Sequence, residues 1–112
     1  MAVDERELAW AAGFLDGEGN FSCDLRSNKA KMTIQAAQVE PQPLERLKAV
    51  LGGNVTGPYG PYVKPNRKPW YMWRMYTNQA EEACLRLLPY LSQPKIKQIL
   101  NAAVRMEKHN ER

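Results

Sequence analysis

Residues 11–19 read AAGFLDGEG, in which small and apolar residues lead into two acids that alternate with glycines. Asp4 is a suitable N-cap, and the pattern that follows it predicts a helix running to about Leu15. Glycines then end the helix and leave Asp16 and Glu18 in a turn beside backbone carbonyls that lack helical partners. Such oxygens suit Mg²⁺, which also binds phosphate. The alternative is a glycine-capped helix end whose acids only face water.

Outward from this stretch, the hydrophobic pattern predicts seven further elements. Alternation with a period of two indicates strands, and apolar residues at helical spacing indicate helices. The strands are predicted at 20–26, 31–36, 54–62 (a bent edge strand) and 70–77, and the helices at 44–51, from Asn78 and from Ser92. The buried stripe of the last helix is predicted at Ile96, Ile99, Leu100 and Ala103. The order αββαββαα predicts an α+β fold with an antiparallel sheet.

The composition fits one soluble domain with a modest core. The chain has 112 residues, of which 44% are hydrophobic, so we expect a single domain over residues 1–112. Its formal net charge of +4 suits an anionic partner. Cys23 and Cys84 lie far apart without a histidine cluster, which disfavours a zinc site and a disulfide framework. No apolar run approaches membrane-span length, so a soluble, cytoplasmic protein with no membrane partner is expected.

The stretch at 11–19 resembles the LAGLIDADG motif of homing endonucleases and group I intron maturases, with an acid at both expected positions. Shorter matches resemble the later strand pair and the C-terminal helices of that family, and they lie at 57–59, 68–74, 88–91 and 95–98. The resemblance covers nearly the whole chain and implies a LAGLIDADG-type fold whose antiparallel sheet forms a saddle. Because the motif occurs only once, the resemblance implies the single-motif type, which acts as a homodimer.

The resemblance implies roles for three residues of the motif. Glu18 matches the acid that holds the catalytic metal, Mg²⁺. Gly17 matches the residue whose backbone carbonyl also binds the metal. Asp16 matches the acid that helps to cap the helix and set the turn. Glu18 stands where aspartate is more familiar, and its extra methylene affects the expected position of the metal rather than its binding.

Two further catalytic residues are implied by matches outside the motif. Gln38, at the end of the second strand, matches a residue that orders water near the metal, and the alternative is a surface glutamine. Lys95 matches a lysine that stabilises developing charge, with Lys97 as the fallback, and the alternative is an ordinary solvated lysine. Gln42 stands where the family often keeps a basic residue, and Arg46 could substitute for it only if its helix packs suitably.

The predicted sheet has one face free of helices, and the side chains of that face suit double-stranded DNA. The residues expected to bind DNA lie on this face and in the adjoining basic loop: Ser22, Asp24, Arg26, Lys31, Thr33, Gln35, Lys64, Asn66, Arg67, Lys68, Trp70, Met72, Arg74 and Tyr76. A twisted β-ribbon fits the major groove, where arginine and glutamine suit guanine and adenine edges while lysine contacts phosphates. The alternative is the ordinary polar outer face of an antiparallel sheet.

These patterns and the resemblance together predict a Mg²⁺-dependent, site-specific DNA endonuclease. The resemblance also implies that cleavage begins recombination that spreads the enzyme's own intron. The small residues Ala9, Ala12 and Gly13 of the first helix are expected to form the dimer interface. The resemblance implies hydrolysis of both strands of a long, pseudo-palindromic site across the minor groove, leaving short 3′ overhangs. One alternative is a non-catalytic nucleic-acid binder, either an intron maturase with RNA as its partner or a transcription regulator. Another is a structural dimer module unrelated to nucleic acid.

Overall fold

The computed structural model describes residues 4–60 and 68–110. Its elements in chain order are α1 (Glu5–Glu18), β1 (Gly19–Asp24), β2 (Lys31–Gln38), α2 (Gln42–Leu51), β3 (Asn54–Tyr59), β4 (Trp70–Tyr76), α3 (Thr77–Leu87), a 3₁₀ turn (Leu88–Tyr90) and α4 (Gln93–Asn110). The predicted α+β class and the order αββαββαα are confirmed. Within the described ranges, none of the helices combines the length and the apolar character that crossing a membrane requires.

The four strands form one antiparallel sheet in the order β1-β2-β4-β3. The register sets Gly19 opposite Ala36 in the first hairpin. β2 then pairs with β4, so the two central strands come from different hairpins. β3 lies at the other edge, and its pairing with β4 shifts register between Thr56 and Tyr59. This irregularity confirms the predicted bent edge strand.

One face of the sheet packs against the helices and forms a hydrophobic core. The largest fully buried side chains are Trp73, Leu15, Ile34, Leu44, Leu47, Met75 and Leu87. The predicted alternation is confirmed, because Phe21 and Met32 are buried on the core side whereas Gln35 is half-buried on the opposite face. Neither Cys23 nor Cys84 forms a disulfide. Burial raises the pKa of the Cys84 thiol to about 12.

Two helices differ from their predicted extent or packing. α1 continues to Glu18 instead of ending near Leu15, so both acids of the motif lie in its last turn. In α4 the predicted buried stripe was wrong at two positions: Leu100 is 58% exposed and Ala103 is also exposed. Ala102 is buried instead. The physical reason is that α4 packs mainly against the edge strand β1, which selects a different side of the helix for burial.

The junction between α1 and β1 has no intervening loop, because the helix ends at Glu18 and the strand begins at Gly19. The Gly19 N–H donates a hydrogen bond to the carbonyl oxygen of Leu15. A Cβ on Gly19 would lie 2.7 Å from Cδ2 of Leu15 and 2.8 Å from its carbonyl oxygen. Glycine therefore permits the close approach that sets the end of α1 against one end of the sheet.

α4 runs along the outer edge of β1 and supplies hydrogen-bond partners for exposed backbone groups. The Oε1 of Gln98 accepts a hydrogen bond from the Phe21 N–H at 3.0 Å. The Oδ1 of Asn110 accepts another from the Ala30 N–H, also at 3.0 Å, beyond the end of the strand. These contacts satisfy donors that an edge strand otherwise leaves open to another chain. They also fix α4 relative to the α1–β1 junction.

Candidate active site and nucleic-acid interface

The carboxylate of Asp16 joins the end of α1 to the start of α4. Its Oδ1 accepts hydrogen bonds from the backbone N–H and from the hydroxyl of Ser92, both at 2.9 Å. Ser92 directly precedes α4, so the side chain of Asp16 bonds to the residue before that helix and not to the end of α1. The two residues are 76 positions apart in the sequence, and their contact holds α4 beside the motif.

Glu18 and Gly17 lie in the last turn of α1, and both are exposed. Among the residues that the structure describes, none outside its own helix turn has a heavy atom within 4 Å of a Cβ placed on Gly17. The final carbonyls of a helix lack partners within that helix, so carbonyl oxygens accompany the Glu18 carboxylate at this end. The turn therefore presents hard oxygen atoms on an accessible surface.

These oxygens fit Mg²⁺ chemically and would fill only part of its coordination. Mg²⁺ prefers oxygen ligands and is usually held by one or two carboxylates, with waters and substrate phosphates completing an octahedron. Within residues 4–60 and 68–110, no group of three or more His, Cys, Asp or Glu side chains is placed to hold a metal ion. One chain would thus offer Mg²⁺ the Glu18 carboxylate and the Gly17 carbonyl. The remaining coordination positions would go to water, phosphate or a second chain.

Lys95 is the predicted catalytic lysine that the structure brings to the motif. Its side chain is half-buried, and Nζ donates a hydrogen bond to the carbonyl oxygen of Gly19 at 2.6 Å. Since Gly19 directly follows Glu18, the ammonium group lies beside the predicted metal-binding turn. Lys97 is exposed and lines a separate hollow on the outside of α4 with Leu100. Lys95 therefore lies beside the motif and Lys97 does not, although the sequence allowed either of them as the active-site lysine.

Gln38 lies at the same end of the sheet as the motif. It is the last residue of β2 and is half-buried. Because Gly19 pairs with Ala36, Gln38 extends two residues beyond that pair, about 7 Å, at the end of the sheet where α1 enters. The structure thus brings Gln38, Glu18 and Lys95 to one end of the sheet.

Arg46 does not reach this end of the sheet. Its Nε and Nη2 donate hydrogen bonds to the carboxylate of Glu7 at 2.9 and 3.0 Å, which raises the pKa of Arg46. Its guanidinium also lies 3.9 Å from the ring centre of Trp10. Glu7 precedes Glu18 by roughly three helical turns, about 16 Å along α1. Arg46 therefore anchors α2 to the other end of α1 and does not replace the missing basic residue.

The residues predicted for the dimer interface divide between the surface and the core. Ala9 and Gly13 are exposed on α1, in line with Gly17 at a spacing of four residues. A Cβ placed on Gly13 meets no heavy atom within 4 Å in the described part of the chain beyond its own helix. Ala12 is fully buried in the chain's own core, so its side chain is not available to a partner.

The open face of the sheet contains a concavity of about 540 Å³. Seven of the residues predicted to bind DNA line it: Ser22, Asp24, Arg26, Thr33, Gln35, Arg74 and Tyr76. The rest of the lining is Cys23, Leu25 and Arg105. The Oγ1 of Thr33 is buried and has no hydrogen-bond partner among the residues that the structure describes. Such a group costs about 1–3 kcal/mol until a water or a ligand atom bonds to it.

Two arginines of this concavity are held by neighbouring side chains. Oδ1 of Asp24 accepts hydrogen bonds from the backbone N–H and the Nε of Arg26, both at 3.0 Å, and Oδ2 accepts one from Nη2 at 2.8 Å. These bonds hold the pKa of Asp24 well below its ordinary value and raise that of Arg26. On the central strands, Nε of Arg74 donates to Oε1 of Gln35 at 3.4 Å.

The other residues predicted to bind DNA do not line the concavity or lie outside the described ranges. Lys31 is exposed and is the register partner of Asp24. Lys68 is exposed just before β4, and Trp70 and Met72 are half-buried on that strand. Lys64, Asn66 and Arg67 lie outside the described residues.

No family model matches the chain. Its structure is similar to that of the homing endonuclease I-CvuI, solved with the I-CreI target in the presence of Mg, with a TM-score of 0.63, 22% identity and coverage of 89% of this chain and 66% of that one. The group I intron-encoded homing endonuclease I-CeuI, complexed with DNA, gives a TM-score of 0.63 at 18% identity, over 99% and 58%. The LAGLIDADG meganuclease I-CpaMI, bound to uncleaved DNA, gives 0.55 at 20% identity, over 80% and 31%.

This chain has the LAGLIDADG homing-endonuclease fold. The resemblance carried by residues 11–19 is thereby confirmed at the level of the fold. The chain spans 66% and 58% of the lengths of I-CvuI and I-CeuI.

Within this LAGLIDADG fold, three residues in or next to α4 make contacts that the sequence analysis did not predict. Arg105 lines the concavity, although it was not among the residues predicted to bind DNA. Ser92 and Gln98 hold the motif and β1 in place. Arg105 lies three residues after the buried Ala102, whereas the predicted stripe included Ala103, so no sequence signal pointed to Arg105.

Proposed function

We propose that this chain is one subunit of a site-specific DNA endonuclease, a homodimer that uses Mg²⁺ to hydrolyse both strands of a long, pseudo-palindromic site. The observation that carries the proposal is the placement of Lys95 Nζ on the Gly19 carbonyl, beside Glu18, at one end of the arginine-lined sheet. The fold shared with DNA-bound homing endonucleases supports it. The net charge of +4 suits the phosphate backbone.

In this proposal Glu18 and the Gly17 carbonyl would hold Mg²⁺ at the scissile phosphate. The chemistry supplied by the bound ion is the activation of a water and the stabilisation of the leaving 3′ oxygen. Gln38 would orient the attacking water through its side-chain amide. An ammonium group has three donors, so Lys95 can keep its bond to Gly19 and still donate to a phosphate oxygen. Asp16, through Ser92, keeps the helix that carries Lys95 in place.

A homodimer follows from the number of sites that the reaction needs. Cutting two strands requires two metal-holding carboxylates, and the motif occurs once in the chain. The exposed side of α1 carries Ala9, Gly13 and Gly17, whose small size lets a second α1 approach closely. Such an approach would bring two copies of Glu18 to neighbouring phosphates. Two-fold symmetry then demands a pseudo-palindromic target.

The substitution Glu18→Gln tests this assignment. We expect the rate of DNA cleavage with Mg²⁺ to fall at least about 100-fold. A loss of about that size is the upper end for a residue that only supports a metal ligand, and Glu18 would itself be a ligand. Specific binding should persist, because the carboxylate serves the metal and not the bases. Glu45→Gln removes an equally exposed charge from α2 and is the matched control, for which cleavage should stay at the wild-type rate.

Cleavage by Glu18→Gln at the wild-type rate would remove Glu18 from the active site. Salt-dependent binding by a wild-type protein that cuts no DNA would favour the non-catalytic alternative, an intron maturase or a transcription regulator, over an endonuclease.

A further inference from the structure

The pair formed by Asp24 and Arg26 fixes the plane of an exposed guanidinium. Three hydrogen bonds link the two residues, and two of them join Nε and Nη2 to the two oxygens of one carboxylate. This side-on, bidentate geometry leaves little freedom to rotate. The Asp24 side chain is 25% exposed, whereas that of Arg26 is 90% exposed. An anchored carboxylate thus holds a guanidinium that projects into solvent.

Stability does not explain this arrangement. Exposed ion pairs contribute little to folding, because water screens the charges and both side chains lose rotational freedom. A carboxylate on a surface that binds DNA is also unfavourable unless a cation neutralises it, since it repels phosphates. Arg26 supplies that neutralisation, and its hydrogen bonds hold the pKa of Asp24 below the ordinary value.

The hydrogen bonds that remain unused on Arg26 match one base edge. A guanidinium has five N–H donors, and Asp24 takes the Nε donor and one of those on Nη2. The end of the guanidinium keeps one N–H on Nη1 and one on Nη2, which point in parallel. In the major groove, guanine presents two adjacent acceptors, N7 and O6, whereas adenine presents an acceptor beside a donor. The free end therefore suits guanine and mismatches adenine.

We infer that Asp24 is a positioning residue that holds Arg26 for bidentate recognition of a guanine in each half of the DNA target. The inference rests on the proposed function, which makes the concavity a DNA surface. Both residues line that concavity, together with the polar side chains of Ser22, Thr33 and Gln35. Arg26 has to meet the base in the orientation that Asp24 sets, so the specificity at that base depends on a residue that does not touch it.

The test is a comparison of binding preferences on a library of duplex DNA with random sequence, with EDTA present to prevent cleavage. Wild type should select guanine at one position of each half-site, and Arg26→Ala should reduce that preference on the order of 10- to 100-fold. Asp24→Ala should reduce the preference at the same position while raising affinity for unselected DNA, since a negative charge leaves the surface. The double variant should match Arg26→Ala at that position.

Two further variants separate positioning from charge. Arg26→Lys keeps the positive charge but lacks the planar pair of donors, so it should lose the guanine preference as well. Lys31→Ala removes a neighbouring exposed charge, and we expect it to weaken binding on all sequences without changing the preference at any one base.

An unchanged preference in Asp24→Ala would overturn the positioning role. A uniform loss across all sequences in Arg26→Ala would assign Arg26 to a phosphate instead. Either result leaves the endonuclease proposal standing, because sequence-specific binding by wild type would persist. The absence of any salt-dependent DNA binding by wild type would instead overturn the proposed function.

Discussion

At the scale of single residues, Lys95 differs from Lys97 and Lys108, the exposed lysines of α4, because a hydrogen bond holds its ammonium group in place. The 2.6 Å bond from Nζ to the Gly19 carbonyl holds it at the end of α1. We expect Lys95→Met to slow cleavage at least about 10-fold in single-turnover assays. A positioned cation that stabilises the charge developing in the transition state contributes that much or more. DNA binding should change little by comparison.

Lys97→Met is the matched control for this prediction, because Lys97 lies two residues away on the exposed side of α4. Its cleavage rate should stay near that of wild type. A large loss with Lys97→Met and none with Lys95→Met would show that the active-site lysine had been misassigned.

The sequence predicted which residues lie near the motif better than it predicted their hydrogen-bond partners. Asp16, Glu18 and Lys95 were named from the sequence, and the structure places them at the same end of the molecule. The bond between Asp16 and Ser92 was not predicted, because it joins positions 76 residues apart and depends on how α4 packs. Arg46 illustrates the same limit, since only the packing of α2 on α1 shows that Glu7 engages it.

At the scale of elements, the α1–β1 junction is the feature on which the site geometry depends most. Gly19→Ala would place a Cβ 2.7–2.8 Å from atoms of Leu15, including backbone. The helix end would have to shift, and we expect the free energy of unfolding in urea to fall by about 1–3 kcal/mol. Gly17→Ala is the control: its Cβ meets no heavy atom within 4 Å among the described residues outside its own turn, so stability should stay equal or rise.

Equal stability of Gly19→Ala and wild type would contradict the close contact at this junction. Both variants should be compared at low protein concentration, so that association does not contribute to the measured stability.

The elements themselves follow well from local patterns, whereas their packing does not. Period-two alternation predicted the buried side of β1 and β2, and prolines and glycines predicted the irregular edge strand β3. The stripe of α4 was wrong at Leu100 and Ala103, because the prediction rested only on apolar residues at helical spacing. The helix instead covers the edge of β1, and a sequence pattern carries no information about which edge needs covering.

At the scale of the whole molecule, the association of two chains through α1 can be separated from the folding of one. The exposed side of this helix has room at Gly13, where an added Cβ meets nothing within 4 Å in the described part of the chain outside its own helix. We expect Gly13→Leu to fold but to force two α1 helices apart, at a cost of about 1–3 kcal/mol per subunit. Sedimentation should show loss of dimer, and cleavage of both strands should be lost.

Ala103→Leu is the matched control, because Ala103 is an exposed small residue on α4 and lies away from the proposed interface. A Gly13→Leu variant that remains a fully active dimer would contradict association through this side of α1. The sequence predicted the dimer only through the single copy of the motif, and the predicted interface included Ala12, which the structure buries in the chain's own core.

The central claim is that two chains related by two-fold symmetry cut both strands of one DNA site. The most direct measurement is to incubate the wild-type protein with a library of random duplex DNA and Mg²⁺ and to sequence the ends produced. The account predicts cuts in both strands, offset symmetrically about the centre of a pseudo-palindrome of about 20 base pairs. Cuts in one strand only, or cut sites without two-fold symmetry, would contradict it.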